Sequence, residues 1–399
     1  MGTKNIGVFT QHYDTPDSST SGRPYSMVKA LSKDHRVTLI ATNTADRSSR
    51  ISRNFEWLPQ GVQMKTVNAP YSNEMGMLRR AIAYAKYGIG ALNAGIRGSS
   101  LDLIIGSSPP LSAALIASLV ARWHNIPWIF EVRDLWPDFP IQMGAVPSDT
   151  MQRVLYGVER YLYRSADHVV ALSPDISKHV RLHTDAVTTI PYGTNYELLQ
   201  YASVDAVRVD LKVAKEARIV LYAGALGRAN AIPTLMEAAI ALEDKNRVRV
   251  VIAGDGYYAT EVRRIANQHH HITYLPPQPY THTLALFKLA HLSVVSFLDR
   301  PVLGTNSPAK LYDSLAAGTP VIVTNSGWMK KLVENHQCGW YVPSENVSAL
   351  VQCIRKQLYH SDERARAAEQ AKRVASTYLR RSNHMARYRR LVDRVVCGA

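Results

Sequence analysis

Apolar residues along this chain fall into two alternating patterns. Short unbroken runs, such as Asn5–Thr10, Arg36–Thr42 and Arg218–Ala223, read as strands buried on both faces. Between them, apolar positions recur every three or four residues, the spacing of a helix with one face in a core. The first such unit is a strand over 5–10, a loop over Gln11–Pro24, a helix carrying Met27, Val28, Ala30 and Leu31, and a strand over Arg36–Thr42. Further strands are predicted at Leu101–Gly106, Pro127–Val132, Asp167–Ser173 and Val187–Pro191, with helices over 74–97, 111–123 and 149–165 and a short one after Pro174. Residues 196–216 mix charges without a strand pattern and are read as a linker. The alternation then restarts: strands at Arg218–Ala223, Arg247–Ala253, Ile272–Leu275, His291–Phe297, Val321–Thr324 and Gly339–Val342, with helices over 231–242, 330–334 and 346–360. Residues Asp362–Val396 read as helical and arginine-rich, with Leu379, Met385, Tyr388, Leu391, Val392 and Val395 spaced to pack on a domain. Strands alternating with helices predict parallel sheets, and 399 residues are too many for one core. The expected fold class is α/β, two doubly wound halves.

Composition narrows the picture only a little. Cys338, Cys353 and Cys397 are an odd set without metal-like spacing, so reduced thiols are expected. Lys4–Thr10 reads as a buried strand rather than a secretory signal, and the longest apolar run, Leu111–Ala121, is too short to span a bilayer. The formal charge of +15 suits nucleic acid, an anionic membrane face or phosphorylated substrates. No zinc pattern and no aromatic-plus-basic RNA signature accompanies it, so nucleic acid is not an expected partner. Residues 74–97 alternate apolar positions with Arg79, Arg80, Lys86 and Arg97. Such a helix can lie on an anionic membrane or pack on its own sheet, and its periodicity fits both.

Candidate chemistry gathers at the predicted strand ends. In residues 304–322 (GTNSPAKLYDSLAAGTPVI) a loop feeds a helix, with Ser307 as candidate N-cap and Pro308 at the first helical position. Free N–H groups and the positive dipole end make that junction an anion site, and Lys310 and Asp313 lie one turn apart beside it. Gly224 and Gly227 would let the backbone approach a phosphate, with Arg228 to clamp it and Gly254 in a second tight turn. In the first half, Glu131, Arg133, Asp134 and Asp138 crowd the end of one buried strand, where open parallel sheets bind ligands. Ser21, Gly22 and Arg23 offer a close backbone approach and a cation. His269, His270 and His271 invite a metal, but the sequence places no carboxylate at ligand spacing, so no metal site is expected.

Taken together, SSPPL at 107–111, FEVRDLWPD at 130–138, ERYLYRSADHVVALS at 159–173, IPYG at 190–193, YAGALGR at 222–228, GDG at 254–256 and the 307–322 segment resemble glycosyltransferase family 4, retaining enzymes of the GT-B fold. Within it, the sequence looks like the bacterial fucosamine-transferase-like branch, active in O-antigen, capsule or exopolysaccharide assembly. The resemblance implies two Rossmann-like domains facing a central cleft: 1–200 on the acceptor side, 201–378 binding a nucleotide-sugar donor, and a 379–399 helix packing back on the first. It implies that Gly224, Gly227, Arg228 and Lys310 hold the donor diphosphate, helped by Ser307, Pro308, Ala309 and Gly254, and that Asp313 binds the ribose. Gly22, Arg23 and Arg133 would face the acceptor, and Glu131 and Asp134 the reacting sugar. Expected partners are a nucleotide sugar, most simply a UDP-sugar, and a glycan or polyprenyl-linked acceptor, with an anionic membrane surface as a further option. No cofactor is expected, and the location implied is cytoplasmic, with the inner face of the plasma membrane open to it. The chain departs from the family pattern at Thr305, where a glutamate is usual, at Asp313, shorter than the usual glutamate, and at Ala225, Tyr192 and Arg133. A GT-B nucleotide-sugar 2-epimerase and a non-catalytic nucleotide-sugar binder stay open as alternatives.

Overall fold

The computed structural model describes residues 2–13, 22–42, 58–70, 75–98, 100–211, 213–214, 216–243 and 247–398. Residues 14–21 of the first loop, Ser21 among them, lie outside it, as does Glu74 of the basic helix. The chain divides into two compact units: Met1–Pro191 with Thr305–Ser307 and Ser382–Ala399, and Tyr192–Gly304 with Pro308–Arg381.

The first unit holds β1 (Asn5–Phe9), β2 (Arg36–Thr42), β3 (Val62–Val67), β4 (Leu103–Ser108), β5 (Trp128–Val132), β6 (His168–Ala171) and β7 (Val187–Thr189), in the order β3-β2-β1-β4-β5-β6-β7. Every pairing is parallel, with Val8 opposite Leu39 on one side and Ile105 on the other. The second unit holds β8 (Arg218–Ala223), β9 (Val248–Ala253), β10 (Ile272–Leu275), β11 (Leu292–Val295), β12 (Val321–Val323) and β13 (Gly339–Tyr341), in the order β10-β9-β8-β11-β12-β13, again all parallel. Counted within each unit, the first sheet runs 3-2-1-4-5-6-7 and the second 3-2-1-4-5-6. The order reverses beside β1 and β4 in one unit and beside β8 and β11 in the other. At those switch points, outside the carboxyl ends of the strands, such sheets bind ligands.

Burial explains the strands. Ile6, Val8, Leu39, Leu103, Ile105 and Ile129 form the first core, joined by Met385, Tyr388, Leu391 and Val392 of the helix Arg381–Cys397. Val220, Tyr222, Val250, Ile252, Leu292 and Ile322 form the second. Two expectations from the sequence need correcting. Strand β3 is not predicted, because its positions are mostly half-exposed at a sheet edge and carry no apolar run. The supposed linker is folded: a 3-10 turn spans Tyr196–Tyr201 and a helix spans Val204–Asp210. Leu199 and Val207 are buried there, and Lys288 donates to the carbonyls of Leu199 and Ala202.

Candidate active site

In the second unit the site begins where β8 runs out of apolar residues. Gly224 has φ 152°, open to glycine, and its N–H donates to Ala253 O at 2.9 Å. Gly254 has φ 146°, and a side chain there would overlap the carbonyl of Gly224. Gly254 is therefore what lets the two loops close on each other. Leu226 N–H donates to Asp255 O (2.8 Å) and Tyr258 N–H to Leu226 O (2.9 Å), so the 224–227 loop is fixed before any ligand arrives.

Lys310 lies in the first turn of the helix Ala309–Ala317 and is buried against that loop. Its Nζ donates to Tyr222 Oη at 2.8 Å and Asn230 Oδ1 at 3.3 Å, and lies 4.1 Å from the Tyr222 ring centre and 5.1 Å from that of Phe297. A Cβ at Gly224 would stand 3.5 Å from the same Nζ. No carboxylate is among these neighbours, and burial pulls the Lys310 ammonium down to about 7. Tyr222 gives its own proton to Ala225 O (2.6 Å), so its oxygen can accept from lysine. Arg228 is exposed and stacks 4.1 Å above the Tyr257 ring. Pro308, extended at ψ 134°, is the N-cap, and the helix has no side-chain cap; the start falls one residue later than expected, which removes Ser307 as the cap. Ser307 instead belongs with the first unit, where its hydroxyl donates to Leu172 O at 2.9 Å, and Ser173 Oγ donates to Thr305 O at 2.6 Å.

Asp313 is placed differently from the expectation of a ribose ligand. It is buried, and its Oδ1 accepts from both Thr194 Oγ1 (2.6 Å) and Tyr280 Oη (2.7 Å). Burial raises its carboxyl, against the pull of those hydrogen bonds and of Arg381.

In the first unit Arg23 and Glu131 are fully buried against each other: Nη2 to Oε2 is 3.0 Å and Nε to Oε2 3.2 Å. Arg23 also donates to Pro191 O (2.7 Å), and Ser107 Oγ donates to Glu131 Oε1 (3.2 Å). Glu131 thus faces a guanidinium and not a substrate, and Arg23 is an internal cation and not an exposed one. Gly22 is needed for its φ of 53° at the N-cap of the helix Arg23–Leu31. Arg133 and Asp134, by contrast, remain half-exposed beyond β5. Burial raises the Asp134 carboxyl, with Arg133 pulling the other way. His12, three residues past β1, carries no signal in the sequence, but burial and Arg133 lower it to about 4, so it is neutral at pH 7. Gln11 beside it has a buried carboxamide with no hydrogen-bond partner among the described residues. Asn230 and Tyr222 also escape the sequence reading. Both sit within two residues of Arg228 or Gly224, and Tyr222 puts a hydroxyl at the carboxyl end of an otherwise apolar strand, a signal the sequence does contain.

Comparison with known proteins agrees with the two-part construction. Residues 23–193 match the glycosyl transferase 4-like domain, and residues 203–374 match glycosyl transferases group 1. A protein assigned as the colanic acid biosynthesis glycosyl transferase WcaI, from Escherichia coli (strain K12), is 25% identical over 287 residues, covering 68% of this chain and 70% of that protein. Among solved structures, sucrose-phosphate synthase from Thermosynechococcus elongatus superposes with TM-score 0.79 at 18% identity, over 99% of this chain and 100% of that one. Anabaena HepE in complex with UDP-glucose superposes with TM-score 0.71 at 16% identity, over 98% and 99%. The fold is GT-B: two Rossmann-like units on parallel sheets.

Proposed function

We propose that this chain, which matches the glycosyl transferase 4-like domain and glycosyl transferases group 1 in turn, moves a sugar from a UDP-sugar, with retention, to a glycan or polyprenyl-linked acceptor in bacterial surface polysaccharide synthesis. The observation that carries the reading is Lys310, a buried cation without a carboxylate partner among its neighbours, set against the glycine loop at a switch point. A buried ammonium is costly unless an anion meets it, and a diphosphate is the anion that glycine loops and helix N-termini accept. HepE is solved in complex with UDP-glucose, which supports a uridine donor by likeness of fold.

In this reaction the bond from the anomeric carbon to the diphosphate breaks, and a bond to the acceptor oxygen forms on the same face. The acceptor proton passes to the leaving phosphate oxygen. Lys310, Arg228 and the first-turn N–H groups of Ala309–Ala317 stabilise the charge that grows on the diphosphate, where fixed donors are worth most. Gly224 and Gly227 admit it, and Gly254 holds Gly224 in place. In the first unit the buried Arg23–Glu131 pair ties the start of the helix Arg23–Leu31 to the end of β5 and to Pro191 O. Product analysis by NMR tests the assignment: a new glycoside of the donor's own anomeric configuration is expected, with Arg228→Ala and Lys310→Ala each lowering the rate at least 100-fold. An inverted anomer removes retention, and an epimerised donor without glycoside removes transfer.

The proposed acceptor bears on one further surface. No helix among the described residues is long and apolar enough to cross a membrane. The helix Met77–Ile96 nevertheless exposes Ile89 (73%) and Ile82 (47%) beside Arg79 and Lys86, and its neighbour Leu111–His124 exposes Trp123 (69%). This combination suits the interface of an anionic bilayer. Co-sedimentation with anionic vesicles should weaken with salt and with Ile89→Glu; absent binding, or binding indifferent to both, counts against attachment through this face.

A further inference from the structure

The histidine run 269–271 has a carboxylate after all. The fold returns Glu243, just past the helix Ile232–Ala241, to the residues ahead of β10, and ligand atoms of Glu243, His269 and His271 lie within 4.8 Å of one another. Exposed His270 stands 3.9 Å from the same carboxylate, outside this set. A second, independent observation concerns His271. The residue is 1% exposed, and Nε2 stands 2.9 Å from Ala239 O. A carbonyl only accepts, so Nε2 carries the proton and Nδ1 is left with a bare lone pair. That Nδ1 is buried and has no hydrogen-bond partner among the described residues. An imidazole that donates one N–H to a backbone carbonyl and keeps the other nitrogen unprotonated is oriented as metal-bound histidines are.

We infer that Glu243, His269 and His271 form a site for one borderline divalent cation of the zinc type. Two imidazoles and a carboxylate suit such an ion, with water in the fourth position. Tetrahedral ligands about 2.1 Å from a metal stand about 3.4 Å apart. The three side chains must therefore draw together by up to about 1.4 Å, which the exposed Glu243 and half-exposed His269 can do. The site lies at the amino ends of β9 and β10, the opposite end of the second unit's sheet from Gly224 and Lys310. Its role is structural: it ties the end of one helix to the edge strand of the sheet, and it neither touches the proposed donor site nor depends on that assignment.

The test uses the full chain, freed of any affinity tag and stripped by chelator, with Zn²⁺ alone as titrant and Co²⁺ as the spectroscopic reporter. One Zn²⁺ per chain is expected, with a Co²⁺ spectrum of tetrahedral form and a thermal midpoint raised by several degrees. His269→Gln and Glu243→Gln, both at accessible positions that should fold, lower the affinity at least tenfold, and His271→Gln abolishes it. His270→Gln leaves it in place. Asp138, Glu159 and His179 make the other cluster of ligand type among the described residues, so His179→Gln is the control. Absence of stoichiometric binding, binding that survives His269→Gln, or binding lost in His179→Gln overturns the proposal.

Discussion

Lys310 offers a prediction with a sign and a size. Burial lowers its ammonium to about 7 while the unfolded chain keeps the ordinary lysine value of 10.5. At pH 8 the free protein therefore holds about a tenth of a proton at this nitrogen, by the ordinary titration curve. A diphosphate placed against it restores the charged form, so binding of UDP at pH 8 should draw about 0.9 proton from the buffer. At pH 6 the lysine is already charged and its share falls to about 0.1. Calorimetric titration of UDP in buffers of different ionisation enthalpy reads the number directly, from the slope of observed enthalpy against buffer enthalpy. Lys310→Met should remove the uptake at pH 8 and weaken UDP at least 100-fold. The same shift governs stability. Between pH 7 and 10.5 the unfolded chain binds more protons than the folded one, so this group's contribution to stability rises with pH across that window. The full shift of 3.5 pH units corresponds to at most about 5 kcal/mol, so below pH 7 Lys310→Met should be more stable to urea than the native chain. Uptake at pH 8 that is absent, or that persists in Lys310→Met, refutes the placement of the diphosphate at this lysine.

Two other substitutions separate packing from chemistry. Glu131→Gln leaves the Arg23 guanidinium buried without its charge partner and should cost about 3 kcal/mol in chemical denaturation, whereas Arg23→Met with Glu131→Leu should recover most of that loss. Gly254→Ala forces a side chain onto the Gly224 carbonyl at a φ of 146°; UDP binding should be lost while the far-UV spectrum is kept, and an unchanged affinity would mean that the two loops do not position each other.

Much of this protein is legible in its sequence because both sheets are parallel and covered on both faces. Their strands are then unbroken apolar runs bounded by glycine and proline, and the run Arg218–Ala223 ends where β8 ends. Strand β3 escapes notice because an edge strand needs no such run, and Val204–Asp210 because Val207 alone anchors it among charges. The proposed phosphate residues Gly224, Arg228 and Lys310 stand out through local chemistry, since glycine loops and helix starts are local features. Partners are another matter. Nothing along the chain says that Glu131 meets Arg23, 108 residues away, or that Asp313 meets Thr194 and Tyr280. A carboxylate at a strand end reads alike whether it faces a ligand or a buried guanidinium. The same blindness hides Glu243 from His271, and with it a set of ligands that only the fold assembles.

The most direct measurement is release of UDP from a panel of UDP-sugars by the purified chain in the presence of a bacterial lipid-linked glycan extract. One donor should stand out, with release dependent on the extract and lowered at least 100-fold in both Arg228→Ala and Lys310→Met. Equal release by those variants, or no release from any donor together with no binding of UDP, would contradict the assignment of a nucleotide-sugar transferase.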